Sequence, residues 1–279
     1  MPLIFADFAR QAGIIVECDP SQWVAERRQK SAEEIQCLRE AQRVTEQAVQ
    51  MACELISSAE VRRDGVLLRG GEPLTSERVR AAVDHWLLDR EFNNPIAIIA
   101  GGPQGADCHD LGSGELRTGE PVIVDIFPRS RRTRYYGDCT RTVVHGDIPD
   151  EIVRMHAAVR EAKAAAERTI AAGVTGEAIH LATVSAIQRA GYAVGLADAQ
   201  MPSSYCALTH GTGHGVGLDV HEPPLLDLKG PELLTGEVVT VEPGLYRRDL
   251  GGVRIEDMVV VTQRGCQNLN TLDDGLRWK

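Results

Sequence analysis

The sequence predicts an α+β fold in which one domain is made of two related halves. Helical periodicity falls into two blocks along the 279 residues, and each block is followed by short strands rich in β-branched residues. Each strand unit opens with the same Thr-Gly-Glu triplet and reaches a carboxylate after the same interval. We therefore expect each half to contain a helix pair and a β-hairpin.

Four amphipathic helices are predicted. Before the first, Ser31 and Glu34 match a capping box, and apolar residues then recur at helical spacing. The last two are expected to stop at Gly173 and Gly191, because a left-handed C-terminal cap favours glycine. The four helices cover residues 32–57, 76–89, 150–172 and 176–190.

Five strands are predicted from short runs of β-branched and other apolar residues. Three follow the first helix pair and two follow the second, so helices and strands are segregated within each half, which is typical of the α+β class. The predicted strands cover residues 95–100, 121–126, 139–145, 237–242 and 253–262.

The repeat places carboxylates at equivalent points of the two halves. The first triplet ends five residues before Asp125, and the second ends five residues before Glu242. A further carboxylate follows in each half, with Asp138 13 residues after Asp125 and Glu256 14 residues after Glu242. A shared triplet alone is a weak signal, but the equal spacing argues against coincidence.

The composition excludes several classes of partner. A formal net charge of -10 argues against nucleic acid, whose binding depends on phosphate neutralisation, and against an anionic membrane surface. No apolar run approaches the roughly 20 residues that span a bilayer, and the N-terminus shows no secretion signal. The seven cysteines are odd in number and form no CxxC pair, which disfavours disulfides and a thiolate zinc site. We therefore expect a cytoplasmic protein.

Carboxylates within apolar strands such as VIVDI need a compensating charge, because a buried unpaired carboxylate is costly. No matching set of buried Lys or Arg is visible in the sequence, so metal ions are the natural partner. Oxygen ligands with one or two imidazoles suit Mn²⁺, Co²⁺, Fe²⁺ or Zn²⁺. Candidate imidazoles lie in the glycine-rich segment HGTGHG (210–215) and at His221, where backbone can approach a site closely.

Several strings resemble those of the pita-bread metallopeptidases of the M24 type, and most closely the Xaa-Pro aminopeptidases and Xaa-Pro dipeptidases. The strings are VDIFP, GDCTRT, HGTGHGVGLDVHEPP, VEPGLY and RIEDMVVVT. The resemblance runs from about Ser31 to the C-terminus. It implies a pita-bread fold, with a curved, mainly antiparallel sheet covered by helices. It also implies peptide hydrolysis with two divalent ions per chain, for which we favour manganese.

Carried over position by position, the resemblance implies five metal ligands. Asp125 would bind one ion through both of its oxygens, and His214 would be the single imidazole ligand. Asp138 and Glu256 would each bridge the two ions. Glu242 would bind the second ion and also transfer the proton of the attacking water.

The resemblance also implies residues that act on the substrate. His109, His210 and His221 match the non-ligand histidines that surround the substrate in the family. Of these, His221 would stabilise the developing oxyanion. Arg254 lies two residues before Glu256, so alternation along a strand places both side chains on the same face. An arginine at this place matches the Xaa-Pro enzymes.

The domain organisation departs from the family in one respect. Residues 1–30 are interpreted as a linker-like segment that stands where Xaa-Pro enzymes usually carry a separate N-terminal domain, and residues 31–279 as the catalytic domain.

The interval from Asp125 to Asp138 is also two residues longer than in most members. We expect this insertion to lengthen a hairpin without moving the ligands.

Two alternative functions remain open. A methionine aminopeptidase shares the fold and ligands and often has no N-terminal domain, but GDCTRT and Arg254 favour the Xaa-Pro type. A non-catalytic pita-bread binding module would be expected to lose ligands, whereas all five positions are present. The expected partner is a peptide, and a homodimer is compatible with the sequence. Whether the substrates are dipeptides or longer peptides is left open.

Overall fold

The computed structural model describes residues 3–17, 19, 23–198 and 200–278. Cys18 and residues 20–22 of the predicted linker-like segment lie outside the described residues. The helices are α1 Leu3–Gln11, α2 Val24–Arg28, α3 Ala32–Ser57, α4 Ser76–Leu88, α5 Asp150–Thr169 and α6 Gly176–Arg189. Within these ranges no helix is long and apolar enough to cross a membrane.

Within the part of the chain that the structure describes, the strands form five small sheets. In chain order they are β1 Glu60–Val61, β2 Leu67–Arg69, β3 Glu72–Pro73, β4 Phe92–Asn93, β5 Ala97–Gly101, β6 Pro121–Ile126, β7 Arg129–Ser130, β8 Cys139–Val144, β9 Ala193–Val194, β10 Cys206–Leu208, β11 Gly213–Gly215, β12 Glu222–Leu226, β13 Val238–Val241, β14 Gly244–Arg247, β15 Gly251–Arg254, β16 Asp257–Thr262 and β17 Gly265–Asn268. The sheets that position the site have the orders β5-β6-β8, β12-β11-β13-β16-β17 and β15-β14-β10-β9.

The first half packs α3 and α4 against the antiparallel sheet β5-β6-β8. Helix α3 begins as predicted, because the Ser31 hydroxyl accepts from the Glu34 amide and the Glu34 carboxylate accepts from the Ser31 amide. Leu38 and Ala48 of its apolar stripe are fully buried. The core lies between this stripe and the sheet, and β6 and β8 are buried along their whole length.

The second half repeats this arrangement with α5 and α6 packed together over the sheet that contains β13 and β16. Both Thr-Gly-Glu triplets form the turn before a central strand. Their glycines have matching left-handed backbone, with φ of 79° at Gly119 and 88° at Gly236, a conformation that favours glycine. In each half the strand after the triplet pairs antiparallel with a later strand, β6 with β8 and β13 with β16. The predicted repeat is confirmed.

The halves are joined through β8, β15 and the start of β16. The Thr142 hydroxyl lies 3.0 Å from both the amide and the carbonyl of Arg254. The Glu256 amide donates to the Thr140 carbonyl at 3.1 Å. Behind this seam the Arg141 guanidinium is 1% exposed and donates to the Glu256 carbonyl at 2.6 Å. These contacts align the strand ends of one half with those of the other.

Arg141 is part of a buried ion network. It pairs with Asp257 at 2.8 Å, and the second Asp257 oxygen pairs with Lys163. The guanidinium also donates to the carbonyls of Leu272 and Asp273. A buried cation with this many acceptors keeps its charge, and the pKa of Arg141 is raised because Asp257 and other anionic neighbours outweigh the effect of burial.

Two predicted elements differ from the structure. The strand predicted over 253–262 is broken at Ile255 and Glu256, because the Glu256 amide turns away to pair with the first half. The helix predicted over 150–172 ends at Thr169. There the backbone of Ala172 donates to Thr262 and that of Gly173 to Leu233, so this segment is pulled onto the neighbouring sheet. Helices α1 and α2 and most of the short strands were not predicted.

We expect Arg141→Met to lower the free energy of unfolding by roughly 3–5 kcal/mol, because it removes one partner of a buried ion pair and leaves several carbonyls without their donor. Urea unfolding of the purified protein measures this effect. Arg132→Met is the matched control, since that guanidinium is 75% exposed and should change stability by no more than about 1 kcal/mol. Equal losses in the two variants would contradict this assignment.

Candidate metal centre and active site

A single cavity of about 350 Å³ brings the predicted site residues together. It lies where the strand ends of the two halves meet. All nine residues singled out in the sequence line it: His109, Asp125, Asp138, His210, His214, His221, Glu242, Arg254 and Glu256. Residues separated by more than a hundred positions in the chain therefore share one small volume.

The four carboxylates reach the cavity from equivalent strands. Asp125 is on β6 and faces Thr140 across the ladder to β8, while Asp138 immediately precedes β8. Glu242 immediately follows β13, and Glu256 immediately precedes β16. The segment between Asp125 and Asp138 carries β7, and both carboxylates line the cavity.

His214 lies in the middle of the carboxylates. Its Nε2 atom is 3.3 Å from Glu242 Oε1 and 3.7 Å from Asp138 Oδ2. Ligand atoms of Asp138, His214 and Glu256 all lie within 4.8 Å of one another, and all three residues are buried. A group of this size and composition can bind a divalent metal ion.

The backbone around His214 fixes the orientation of its ring. Its amide donates to the Thr240 hydroxyl at 3.1 Å, and its Nδ1 lies 3.1 Å from the Gly215 carbonyl. Nδ1–H therefore donates to that carbonyl, which leaves Nε2 free to act as a ligand. A Cβ atom on Gly213 would lie 2.1 Å from the Thr240 carbonyl, so only glycine allows this strand to approach β13.

The charges in the cavity are poorly balanced without a cation. Burial, followed by repulsion from neighbouring carboxylates, raises the pKa of Asp138 and Glu256 well above the ordinary range. Burial also raises the pKa of Asp125, although Arg254 opposes the shift. For Glu242 burial acts in the same direction, but the hydrogen bond and charge of His214 outweigh it and lower its pKa to about 2.

A metal ion fits this imbalance. Asp125 Oδ1 is buried and has no hydrogen-bond partner among the described residues, whereas Asp125 Oδ2 accepts from Arg254 Nη2 at 2.7 Å. An orphaned carboxylate oxygen is costly in a protein interior unless a cation is bound there. Carboxylate oxygens with one imidazole suit divalent ions of intermediate hardness such as Mn²⁺, Co²⁺, Fe²⁺ and Zn²⁺.

Two threonines that sequence reasoning missed orient the carboxylates. The Thr140 hydroxyl donates to Glu256 Oε2 at 2.7 Å, and the Thr240 hydroxyl lies 3.3 Å from Glu242 Oε1. The spacing in the sequence could have revealed them. Thr140 is two residues from Asp138, and Thr240 is two residues from Glu242, so each pair shares a strand face.

Arg254 and His210, which line the cavity, are linked by hydrogen bonds through the buried Tyr246. Arg254 Nη1 donates to the Tyr246 hydroxyl at 2.9 Å, and that hydroxyl lies 2.7 Å from His210 Nε2. His210 is half-buried, and burial lowers the pKa of its imidazole. Tyr246 is not among the predicted site residues, because no pattern in the sequence around β14 indicates that its hydroxyl pairs with Arg254 on β15.

His221 and His109 lie at the open side of the cavity. The His221 ring meets the His214 ring edge-on, with centroids 4.2 Å apart, and burial together with the charge of His214 lowers the pKa of His221. His109 is exposed, next to Asp107 and Cys108, whose ligand atoms also lie within 4.8 Å of one another. For His221, burial and the His214 charge both favour the neutral imidazole.

A sequence model described as metallopeptidase family M24 matches residues 36–263. The chain belongs to metallopeptidase family M24. The Xaa-Pro dipeptidase of Pyrococcus furiosus is 30% identical over 244 residues, which is 86% of this chain and 62% of that protein. The probable dipeptidase PepE of Mycobacterium tuberculosis is 35% identical over 178 residues, 63% of this chain and 44% of that protein. This M24 chain thus spans about half the length of these curated relatives.

Solved structures of the family confirm the pita-bread fold. The prolidase from Pyrococcus horikoshii superposes with a TM-score of 0.81 at 26% identity, covering 99% of this chain and 73% of that one. The dipeptidase PepE from Mycobacterium ulcerans superposes with a TM-score of 0.79 at 27% identity, covering 100% of this chain and 69% of that one. The predicted α+β class and two-halved architecture are correct.

The raised carboxyl pKa values predict how the metal-free protein responds to pH. A raised pKa means that folded Asp138 and Glu256 bind a proton more tightly than the unfolded chain does. Their contribution to stability is therefore complete below the ordinary values of 3.8 and 4.5, and it is lost as pH rises through the folded-state pKa. We expect metal-free Asp138→Asn to be more stable than wild type at pH 7 and similar to it near pH 4.

Urea unfolding after chelation, at both pH values, measures this difference. Asp147→Asn changes an exposed carboxylate and is the control. A divalent ion at 100 times its dissociation constant should add about 2.7 kcal/mol to wild type and less to Asp138→Asn. Lower stability of metal-free Asp138→Asn at pH 7 would contradict the charge imbalance described above.

Proposed function

We propose that this chain is a peptidase with two divalent metal ions that hydrolyses the Xaa-Pro bond at the N-terminus of peptides or in dipeptides. The observation that carries the proposal is the convergence of Asp125, Asp138, His214, Glu242 and Glu256 in one cavity, two carboxylates from each half. The names of the relatives, an Xaa-Pro dipeptidase and a prolidase among them, support the same substrate class.

Each ligand has a proposed role that its surroundings support. Asp138 and Glu256, whose carboxyl pKa values are raised by burial and by neighbouring carboxylates, would each help to hold both ions. Asp125, with its unpartnered oxygen, would bind one ion, and Glu242 the other. His214 offers Nε2 to the centre. When bound, the ions would supply Lewis-acid activation of the scissile carbonyl and of water, and we favour manganese.

Glu242 and His221 would carry out the proton transfer and the charge stabilisation. Glu242 lines the cavity, so its carboxylate would be placed to take the proton of the attacking water and pass it to the leaving amine. His221 has a lowered pKa, so its neutral ring can donate one N–H to the oxygen that gains charge in the transition state.

Arg254 would act through the residues that it contacts. Its guanidinium bonds Asp125 and Tyr246, and Tyr246 in turn contacts His210, so Arg254 fixes one wall of the cavity while contributing positive charge. His210 and His109 would contact the bound peptide. In an Xaa-Pro substrate the amide nitrogen of the scissile bond carries no hydrogen and cannot donate to the enzyme. A cavity wall of fixed side chains would suit the rigid proline ring.

The substrate class is tested with a panel of Xaa-Pro dipeptides, longer Xaa-Pro peptides and Met-Ala-Ser, assayed with Mn²⁺, Co²⁺ and Zn²⁺. We expect cleavage only where proline follows the scissile bond, close to two ions bound per chain, and loss of activity on chelation. Efficient cleavage of Met-Ala-Ser without cleavage of Ala-Pro peptides would favour a methionine aminopeptidase. Metal binding at neither site would favour a binding module.

The role of His221 is tested by His221→Ala. We expect the variant to keep both metal ions and to lose about 10²–10³ in kcat, with kcat/KM falling in parallel, because the interaction forms only in the transition state. His85→Ala, on the exposed face of α4, is the control and should retain full activity. Loss of a metal ion from His221→Ala would instead make this residue a ligand.

A further inference from the structure

The residues immediately upstream of α3 contact the second half of the domain. We call residues 27–30 the upstream segment; it precedes the region matched by the family, residues 36–263. Its Lys30 amide donates to the Gly236 carbonyl at 3.1 Å, and Arg28 Nη2 donates to the Glu232 carbonyl at 2.7 Å. Arg28 also pairs with the fully buried Glu237. The segment is thus part of the folded domain.

Two cations of the upstream segment pair with the same buried carboxylate. Lys30 Nζ lies 2.6 Å from Glu222 Oε1, and their side chains are 2% and 5% exposed. Arg27 Nη2 pairs with the other oxygen of Glu222 and lies 2.8 Å from Asp219 Oδ2. Buried ions of this kind require their partners, because an uncompensated buried charge is strongly unfavourable.

Glu222 and Asp219 flank His221 in the chain. Gly215 pairs with Glu222 across an irregularity in the β11–β12 ladder, so residues 216–221 form the connection between these strands. His221 is the last residue of that connection, and its ring contacts His214. The upstream segment therefore anchors both sides of the backbone that carries His221.

We propose that Lys30 and Arg27 are positioning residues that hold Glu222 and the adjoining 216–221 connection, and with it His221, in place at the cavity. The inference rests on the proposed function for its kinetic consequence, while the anchoring itself is independent of activity. It gives a role to a segment that the sequence suggests is only linker-like. Arg28, which pairs with Glu237 instead, has no part in it.

The test compares Lys30→Met with Arg28→Met. Both remove one cation of the same segment from a buried carboxylate, but only Lys30 contacts the His221 connection. For Lys30→Met we expect faster amide hydrogen exchange in residues 216–222, unchanged metal content and kcat about 10- to 100-fold lower with little change in KM. For Arg28→Met we expect faster exchange in residues 232–237 and a smaller loss of kcat. Arg27→Met, at a more exposed position, replaces Lys30→Met if that variant does not fold.

A double variant decides whether Lys30 acts through His221. In a His221→Ala background, Lys30→Met should cost little further activity, because the residue that it positions is absent. Unchanged exchange in residues 216–222 would overturn the proposal, whatever the activity. So would a kinetic loss that persists undiminished in the double variant. If wild type cleaves no Xaa-Pro peptide, the proposed function fails, while hydrogen exchange still decides whether Lys30 anchors the connection.

Discussion

The concentration of carboxylates in one buried cavity is the constraint on which the rest of the structure depends. Asp125, Asp138, Glu242 and Glu256 would repel one another if nothing intervened, and the raised pKa values of three of them record that cost. Arg254 offsets only part of it. The Thr140 hydroxyl orients Glu256, the Gly215 carbonyl orients the His214 ring, and Gly213 allows the strand of His214 to lie close to β13. These contacts direct the polar groups towards the space between the carboxylates.

A site divided between two halves needs a rigid seam. On the side of this junction away from the cavity, Asp257 forms buried ion pairs with Arg141 and Lys163, which connect the start of β16 to β8 and α5. On the cavity side, Thr140 and Thr142 contact Glu256 and Arg254 across the same junction. The seam thus uses the same strands as the site, and a shift of one strand end would move a carboxylate.

Local patterns in the sequence were sufficient for much of the fold and the candidate site. The capping box before α3, the strands β6 and β8 and the equal spacing to the carboxylates each depend on neighbours in the chain, so they could be predicted. The break in the strand at Ile255 could not, because it arises when the Glu256 amide bonds a residue 116 positions away. Tyr246, Arg141 and the pairing of Lys30 with Glu222 share this dependence on distant partners.

The long sequence separation of the site contacts has a consequence for folding. Thr140 meets Glu256 across 116 residues, and Asp125 meets Arg254 across 129. Closing such long loops has a large entropic cost, and contacts of this kind form slowly and together with the global fold. Neither half by itself contains the full set of ligands. A partly folded chain therefore carries only part of the candidate site, and the proposed activity could appear only once both halves have docked.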